Sequence, residues 1–299
     1  MTWTHLGDRP DRQHYAPPMD FQVGAARNGE VEIYFESLGN PDQPTLLLVN
    51  GLGSQCVNYS TDWCRQFSDP GFRVIRFDNR DVGLSSKMDG GDYSLSDMAD
   101  DAVAVLDEVN VPRAHVMGCS LGGMIVQRLA IDHPDRLLSV TSVMSRTGEP
   151  GYGDSSKAAL EILLTPPPVS RADNIERQVA AQHVYGSKPE WLDDDAIRTR
   201  AGIAFDRCFY PSGVGRQMKA AWSDGSRDEQ LRKVSLPVLV IHGSRDTLIN
   251  PSGGRHTAEV IPGARYMEIE GMGHDYPSAV WDQWVGVWSN FVQDVIRDR

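Results

Sequence analysis

Gly118-Cys119-Ser120-Leu121-Gly122 follows a short apolar run, Ala114-His115-Val116-Met117. It opens a segment, Leu121–Ile131, whose apolar residues recur at helical spacing until Pro134 stops it. A Gly-x-Ser-x-Gly segment set between a strand and a helix is a nucleophile elbow. The serine then occupies a sharp turn, so the flanking positions need tiny side chains if strand and helix are to approach. The turn lifts the hydroxyl out of the carboxyl edge of a sheet, where open α/β sheets place their ligands. It also sets the Leu121 N–H at a helix N-terminus, ready for a developing oxyanion. Two glycines around a serine arise often by chance; the strand before and the helix after make the signal specific.

Working outward, the same alternation continues. Thr45–Val49 is an unbroken apolar run between Pro44 and Asn50-Gly51, as in a strand covered on both faces. Upstream, Phe21–Ala25 and Val31–Glu36 flank Asn28-Gly29 and read as a hairpin. Phe72–Phe77 reads as a strand, Leu95–Val109 as a helix with Ser96 as a candidate N-cap, and Leu137–Met144 as a further strand. From Gly148 to Arg227 only helical patterns broken by Gly and Pro are found. Pro237–Ile241 and Arg265–Ile269 then resume the strands, and Val280–Arg297 closes as a helix. The expectation is an α/β fold: a mostly parallel eight-stranded sheet flanked by helices, with a helical lid inserted after the sixth strand. The division expected is an N-terminal arm over 1–20, a core over 21–147 and 228–299, and a lid over 148–227, which is too long for a plain loop.

The 299 residues carry 40% hydrophobic and 23% charged side chains, ordinary for a globular protein and unlike a disordered or fibrous one. The net charge of −12, with no Lys/Arg block, disfavours nucleic acid and anionic membrane surfaces as partners. No apolar run approaches the roughly 18–20 residues that span a bilayer, and Met1–Asp8 lacks the basic and apolar regions of a signal peptide. Cys56, Cys64, Cys119 and Cys208 form no metal-binding spacing and too sparse a disulfide framework, which suits free thiols in a reducing cytoplasm. The expected partner is a small-molecule substrate, bound by a monomer or homodimer.

A serine hydroxyl needs a base, and the base needs an orienting partner. Asp246 follows the strand ending at Ile241, and His274 lies in the glycine-rich loop Gly271-Met272-Gly273-His274 after the last strand. His115 and His242 sit in or at the end of strands and read as core residues; the remaining histidines have no supporting context. No aspartate follows closely on Val143, which favours Asp246 further. For the second oxyanion donor, the loop Asn50-Gly51-Leu52-Gly53-Ser54 offers the Leu52 N–H, with glycines on either side to turn the backbone inward. Cys119 occupies the variable position of the elbow and reads as packing. Trp63 serves equally well as pocket wall or helix anchor.

The order Ser120, Asp246, His274 and the segment Arg76-Phe77-Asp78-Asn79-Arg80-Asp81-Val82-Gly83-Leu84-Ser85, similar to a D-x-R-G-x-G-x-S motif, resemble the serine hydrolases of the α/β-hydrolase superfamily. With Ala99–Asp107, similar to the helix that follows that motif, they most resemble actinobacterial esterases of the aclacinomycin methylesterase type. The resemblance covers most of the chain beyond the first 20 residues. It departs at Asn50, where many relatives have His, and at Asp81, where they have Gly. It implies ester hydrolysis with Ser120, His274 and Asp246 as catalytic residues and Leu52 and Leu121 as oxyanion donors, and neither cofactor nor metal. A serine in the elbow excludes the epoxide hydrolases and haloalkane dehalogenases, which attack with aspartate. Carbon–carbon bond hydrolases, lactonases, proline-type aminopeptidases, perhydrolases and ligand-binding receptors on the same scaffold stay open. Asp78 and Arg80 read as a structural ion pair or turn brace. The aromatic residues of the lid suggest an apolar substrate, with Gly51, Trp63, Trp191 and Phe209 as candidate contacts.

Overall fold

A computed structural model describes residues 17–297; of the expected N-terminal arm, residues 1–16 lie outside the described residues. Asn28-Gly29 turns the chain as its sequence suggests. Strands β1 (Gln22–Asn28) and β2 (Val31–Leu38) pair antiparallel from Asn28 opposite Val31, with Gly29 at φ +58°. The other strands are β3 (Thr45–Val49), β4 (Arg73–Phe77), β5 (Ala114–Cys119), β6 (Leu137–Val143), β7 (Val238–Gly243) and β8 (Arg265–Ile269). These six are mutually parallel, β2 joins them antiparallel to β4, and the sheet runs β1-β2-β4-β3-β5-β6-β7-β8. Each inner strand from β3 to β7 is almost wholly buried because helices cover both faces.

Alternate residues of β3 divide between the two layers. Leu46 and Leu48 join α1 (Thr61–Ser68) and the C-terminal helix, while Leu47 and Val49 join α2 (Leu95–Glu108) and α3 (Leu121–Asp132). The cap of α2 differs from the sequence reading. Ser94 is the N-cap, its hydroxyl accepting the Asp97 N–H while Asp97 accepts the Ser94 N–H; Ser96 lies inside the helix and donates to Asp132.

Between β6 and β7 the chain forms α4 (Lys157–Leu164), α5 (Arg171–Tyr185), α6 (Asp194–Arg207), α7 (Pro211–Ser223) and the short α8 (Asp228–Leu231). The insertion leaves and returns at one point, where the Arg227 N–H donates to Thr147 O at 3.0 Å. Ion pairs bind it to the core, among them one from α6 and one from α7. Arg207, on α6, donates to Asp78 at 2.7 Å, and Asp78 also accepts the N–H groups of Cys56 and Leu84. Arg216, on α7, donates to both oxygens of Asp81 at 2.8 Å, and Asp81 holds φ +71° where the family motif has glycine. Arg80 pairs instead with Asp101. Asp78 and Arg80 are thus braces with separate partners, and Asp78 reaches into the insertion.

After β7 come α9 (Ser252–Val260) and, following β8, α10 (Trp281–Arg297). α9 is not legible as a helix in the sequence. α9 carries Gly253 and Gly254, poor helix formers, because a Cβ on Gly254 would lie 2.4 Å from the His242 ring beneath it. Close approach to β7 outweighs propensity there. Among the described residues no helix is long and apolar enough to cross a membrane, and no cluster of three or more His, Cys, Asp or Glu could hold a metal ion.

Candidate active site

Ser120 sits at φ +58° and ψ −118°, a backbone conformation that a residue with a side chain rarely adopts. Its neighbours over-determine it. The Ser120 N–H donates to Val143 O of β6 at 2.9 Å, and Ser145 Oγ donates to Ser120 O at 2.8 Å. All three glycines of the elbow are required by contact. A Cβ on Gly118 would fall 2.0 Å from Gly122 O, one on Gly122 2.1 Å from Val49 O, and one on Gly123 2.4 Å from Ser145 Cβ. Ser120 Oγ has no hydrogen-bond partner among the described residues and faces a cavity of about 670 Å³ that His274 also lines. Cys119, beside it, is buried, and burial pushes its thiol up to about 12, so it stays protonated and inert.

The loops after β7 and β8 bring Asp246 and His274 together. Asp246 Oδ1 accepts the N–H groups of Leu248 and Ile249 at 2.9 and 2.8 Å, and Oδ2 lies 2.7 Å from His274 Nδ1. A carboxylate only accepts, so Nδ1 carries a proton, and it is Nε2 that holds the lone pair whenever the imidazole is neutral. Burial pushes the Asp246 carboxyl up, but His274 and His242 outweigh it and hold the group below the usual carboxylate range. His242 is a core residue, as its strand position suggests; its Nε2 donates to Ile249 O at 2.8 Å and lies 3.3 Å from Asp246 Oδ2. Asp275, next to the histidine, is committed elsewhere: it accepts from the backbone N–H and the hydroxyl of Ser187, in the insertion. The His274 N–H donates to Tyr185 O at 2.7 Å, and the Tyr185 ring meets the imidazole edge-on at 5.9 Å. The insertion therefore touches the histidine loop directly.

The loop after β3 closes on the elbow from the other side. A Cβ on Gly51 would lie 3.3 Å from Ser120 Cβ and 3.8 Å from Ser120 Oγ, so a side chain there would crowd the serine. Leu52 and Leu121 both line the cavity, and neither N–H donates to another group among the described residues. Asn50, where many relatives have histidine, is 1% exposed with no partner for its side-chain amide, while its carbonyl accepts from Asn79 at 3.1 Å.

Of the residues expected to touch substrate, Gly51 and Trp191 line the cavity and Trp63 and Phe209 do not. Trp63 is fully buried among Phe67, Tyr276, Trp281 and Trp284, and its backbone N–H donates to the Ser60 hydroxyl that caps α1. It is the helix anchor of the two roles open to it. Phe209 stacks on Phe205 at 4.6 Å. The insertion walls the cavity with Leu160, Leu163, Ile197, Met218 and Trp222, joined by Arg146 and Arg200. Spacing along the helices carries no signal for this set, since any amphipathic helix shows the same apolar stripe.

The α/β hydrolase fold family model matches residues 44–164. Rhodomycin D methylesterase of Streptomyces sp. (strain C5) is 33% identical over 275 residues, covering 84% of this chain and 91% of its own. A putative carbamate hydrolase of Caulobacter sp. (strain K31) is 31% identical over 246 residues, covering 80% of this chain and 87% of its own. Among solved structures, a meta-cleavage product hydrolase from Pseudomonas fluorescens IP01 shares the fold with a TM-score of 0.77 at 18% identity, covering 91% of this chain and 98% of that one.

Proposed function

The chain belongs to the α/β-hydrolase family, as an esterase-like hydrolase of the aclacinomycin methylesterase type, and from that premise we propose that it cleaves a carboxylic ester through an acyl-enzyme on Ser120. The observation that carries this reading is the 2.7 Å contact of Asp246 with His274 Nδ1, in the same cavity as the free hydroxyl of Ser120. Ser120 Oγ attacks the ester carbonyl as His274 Nε2 takes its proton. The carbonyl oxygen becomes an oxyanion facing the Leu52 and Leu121 N–H groups, donors of a kind worth roughly 10²–10³ in rate each. Collapse breaks the bond to the alcohol, which leaves with the proton from His274. Water, deprotonated by the same nitrogen, then attacks the acyl carbonyl and releases the acid and Ser120. Asp246 stays ionised throughout, fixing the tautomer and stabilising the imidazolium. The reaction calls for neither metal nor organic cofactor.

The substrate class proposed is a small ester on an apolar, polyketide-like body. The relative named as a rhodomycin D methylesterase supports it, as does a cavity whose size lies in the range for drug-sized ligands and to which the insertion contributes Leu160, Leu163, Ile197, Met218 and Trp222 beside polar residues such as Gln178 and Arg200. Residues 148–227 act as a lid over Ser120, and the segments 21–147 and 228–299 hold the chemistry. An ester panel varied separately in acid and alcohol, run beside Ser120→Ala, tests the reading. Hydrolysis and fluorophosphonate labelling should both vanish in the variant, with a kcat loss of roughly 10⁴-fold or more. Labelling at another serine, or activity retained, refutes it.

A further inference from the structure

We propose that Gln217, on α7 of the insertion, is a positioning residue for the oxyanion loop, so that the insertion takes part in transition-state stabilisation as well as roofing the cavity. Gln217 can act this way only if the Leu52 N–H is the oxyanion donor proposed above. The side chain is 0% exposed and hydrogen-bonded at both ends: Oε1 accepts the Gly53 N–H at 2.9 Å, and Nε2 donates to Arg80 O at 2.9 Å. One carboxamide therefore ties the loop after β3 to the loop after β4.

The loop is a four-residue turn, closed by the Ser54 N–H donating to Gly51 O at 3.2 Å, with Gly53 third at φ +65°. Such turns come in two forms that differ by a flip of the central peptide, here Leu52–Gly53, and a positive φ at the third residue marks one of them. Accepting the Gly53 N–H selects that form. α7 also rests on the turn sterically, since a Cβ on Gly53 would lie 2.9 Å from Val214, one helical turn before Gln217. Leu52 is thus fixed from both sides, by Gly51 against Ser120 and by Gly53 against α7. The next part of the loop is held likewise, with Gln55 donating to Ala204 O and Cys208 O and accepting from Arg207. An oxyanion donor must keep its place to within roughly 0.5 Å, and at Leu52 a helix of the insertion supplies that constraint.

Gln217→Leu keeps the volume and removes both hydrogen bonds. With p-nitrophenyl acetate, kcat should fall roughly 10- to 100-fold, less than for outright loss of a donor, while KM stays within about threefold. The inhibition constant of an alkyl trifluoromethyl ketone, whose adduct with Ser120 puts an alkoxide where the oxyanion forms, should rise by the same factor as kcat falls. Gln217→Glu should recover much of the loss, because burial favours the neutral acid, which offers a carbonyl to Gly53 and a hydroxyl to Arg80 O. Gln217→Asn, polar but one methylene too short, should show the same split and serves if the leucine variant does not fold. A folded variant with kcat within twofold of wild type overturns the role, as does a fall in kcat with ketone affinity unchanged. Failure of the ketone to add to Ser120 in the wild-type protein would instead sink the oxyanion reading, and this role with it.

Discussion

Asp246→Asn should cost nearly as much activity as losing the histidine, because the site dictates which way the new amide faces. Oδ1 accepts two backbone N–H groups, from Leu248 and Ile249, at 2.9 and 2.8 Å. An NH₂ group there would meet two donors, so the asparagine keeps its oxygen in that place and turns its NH₂ toward His274 Nδ1. His242 Nε2, at 3.3 Å, opposes this orientation weakly, its N–H already being given to Ile249 O. Nδ1 can meet an NH₂ group only by accepting, which moves the imidazole proton to Nε2, the nitrogen proposed to act on Ser120. The serine then meets a donor where it needs a base. In serine proteases the same exchange costs about 10⁴ in kcat, or about 5.5 kcal/mol of barrier at about 1.36 kcal/mol per factor of ten. Asp246→Ala leaves the imidazole free to choose its tautomer and should be the more active of the two variants. The assay is kcat at saturating p-nitrophenyl acetate, normalised to fluorophosphonate-titrated sites, with the low-field imidazole N–H resonance followed by NMR. An Asn variant within tenfold of wild type, or an Ala variant weaker than the Asn one, would refute the reasoning about the amide.

Gly122→Ala should destabilise the fold and abolish activity, since its Cβ would lie 2.1 Å from the carbonyl of β3; Gly286→Ala, on α10 with nothing within 4 Å and no positive φ, is the control for solubility and melting. Arg207→Met strands the buried Asp78 carboxylate, a loss of about 3–5 kcal/mol for such pairs. The low end is expected because Asp78 keeps the Cys56 and Leu84 N–H groups, so Tm should drop roughly 6–10 °C. A double-mutant cycle with Asp78→Asn showing no coupling would contradict this. Burial raises the Asp81 carboxyl, but Arg216 and the Met88 N–H outweigh it and hold the group below its ordinary value. Its stabilising contribution is therefore complete above the ordinary carboxylate range and lost as pH falls through that range toward the lowered value. The stability gap between wild type and Asp81→Asn, measured by denaturant melts, should narrow as pH drops below about 4; a gap that widens there goes against it. Trp191→Ala should raise KM or reorder an ester series while leaving Ser120 labelling by a small reagent within a few-fold, whereas Phe209→Ala, outside the cavity wall, should leave KM unchanged.

The sequence alone determined the strands, the elbow and the order of Ser120, Asp246 and His274, because each is a local pattern. A buried strand must be an unbroken apolar run, a strained turn must be flanked by glycines, and loops at one sheet edge collect the polar residues left over. The pairing of Asp246 with His274 was legible for the same reason, since both follow strands of one parallel sheet. Pattern could not separate Ser94 from Ser96 as the cap of α2, because either serine can start a helix and the choice rests on which hydroxyl meets Asp97. Nor could it tell that Trp63 anchors a helix, that Phe209 stacks on Phe205, or that α9 forms despite two adjacent glycines. Gln217, Arg207 and Ser187 carried no mark at all in helices and loops of mixed composition. Each acts across 88 to 164 residues of chain: Gln217 on Gly53, Arg207 on Asp78 and Gln55, and Ser187 on Asp275. A polar side chain becomes a fixed hydrogen-bonding group only when burial removes competing water, and burial is a property of the folded whole.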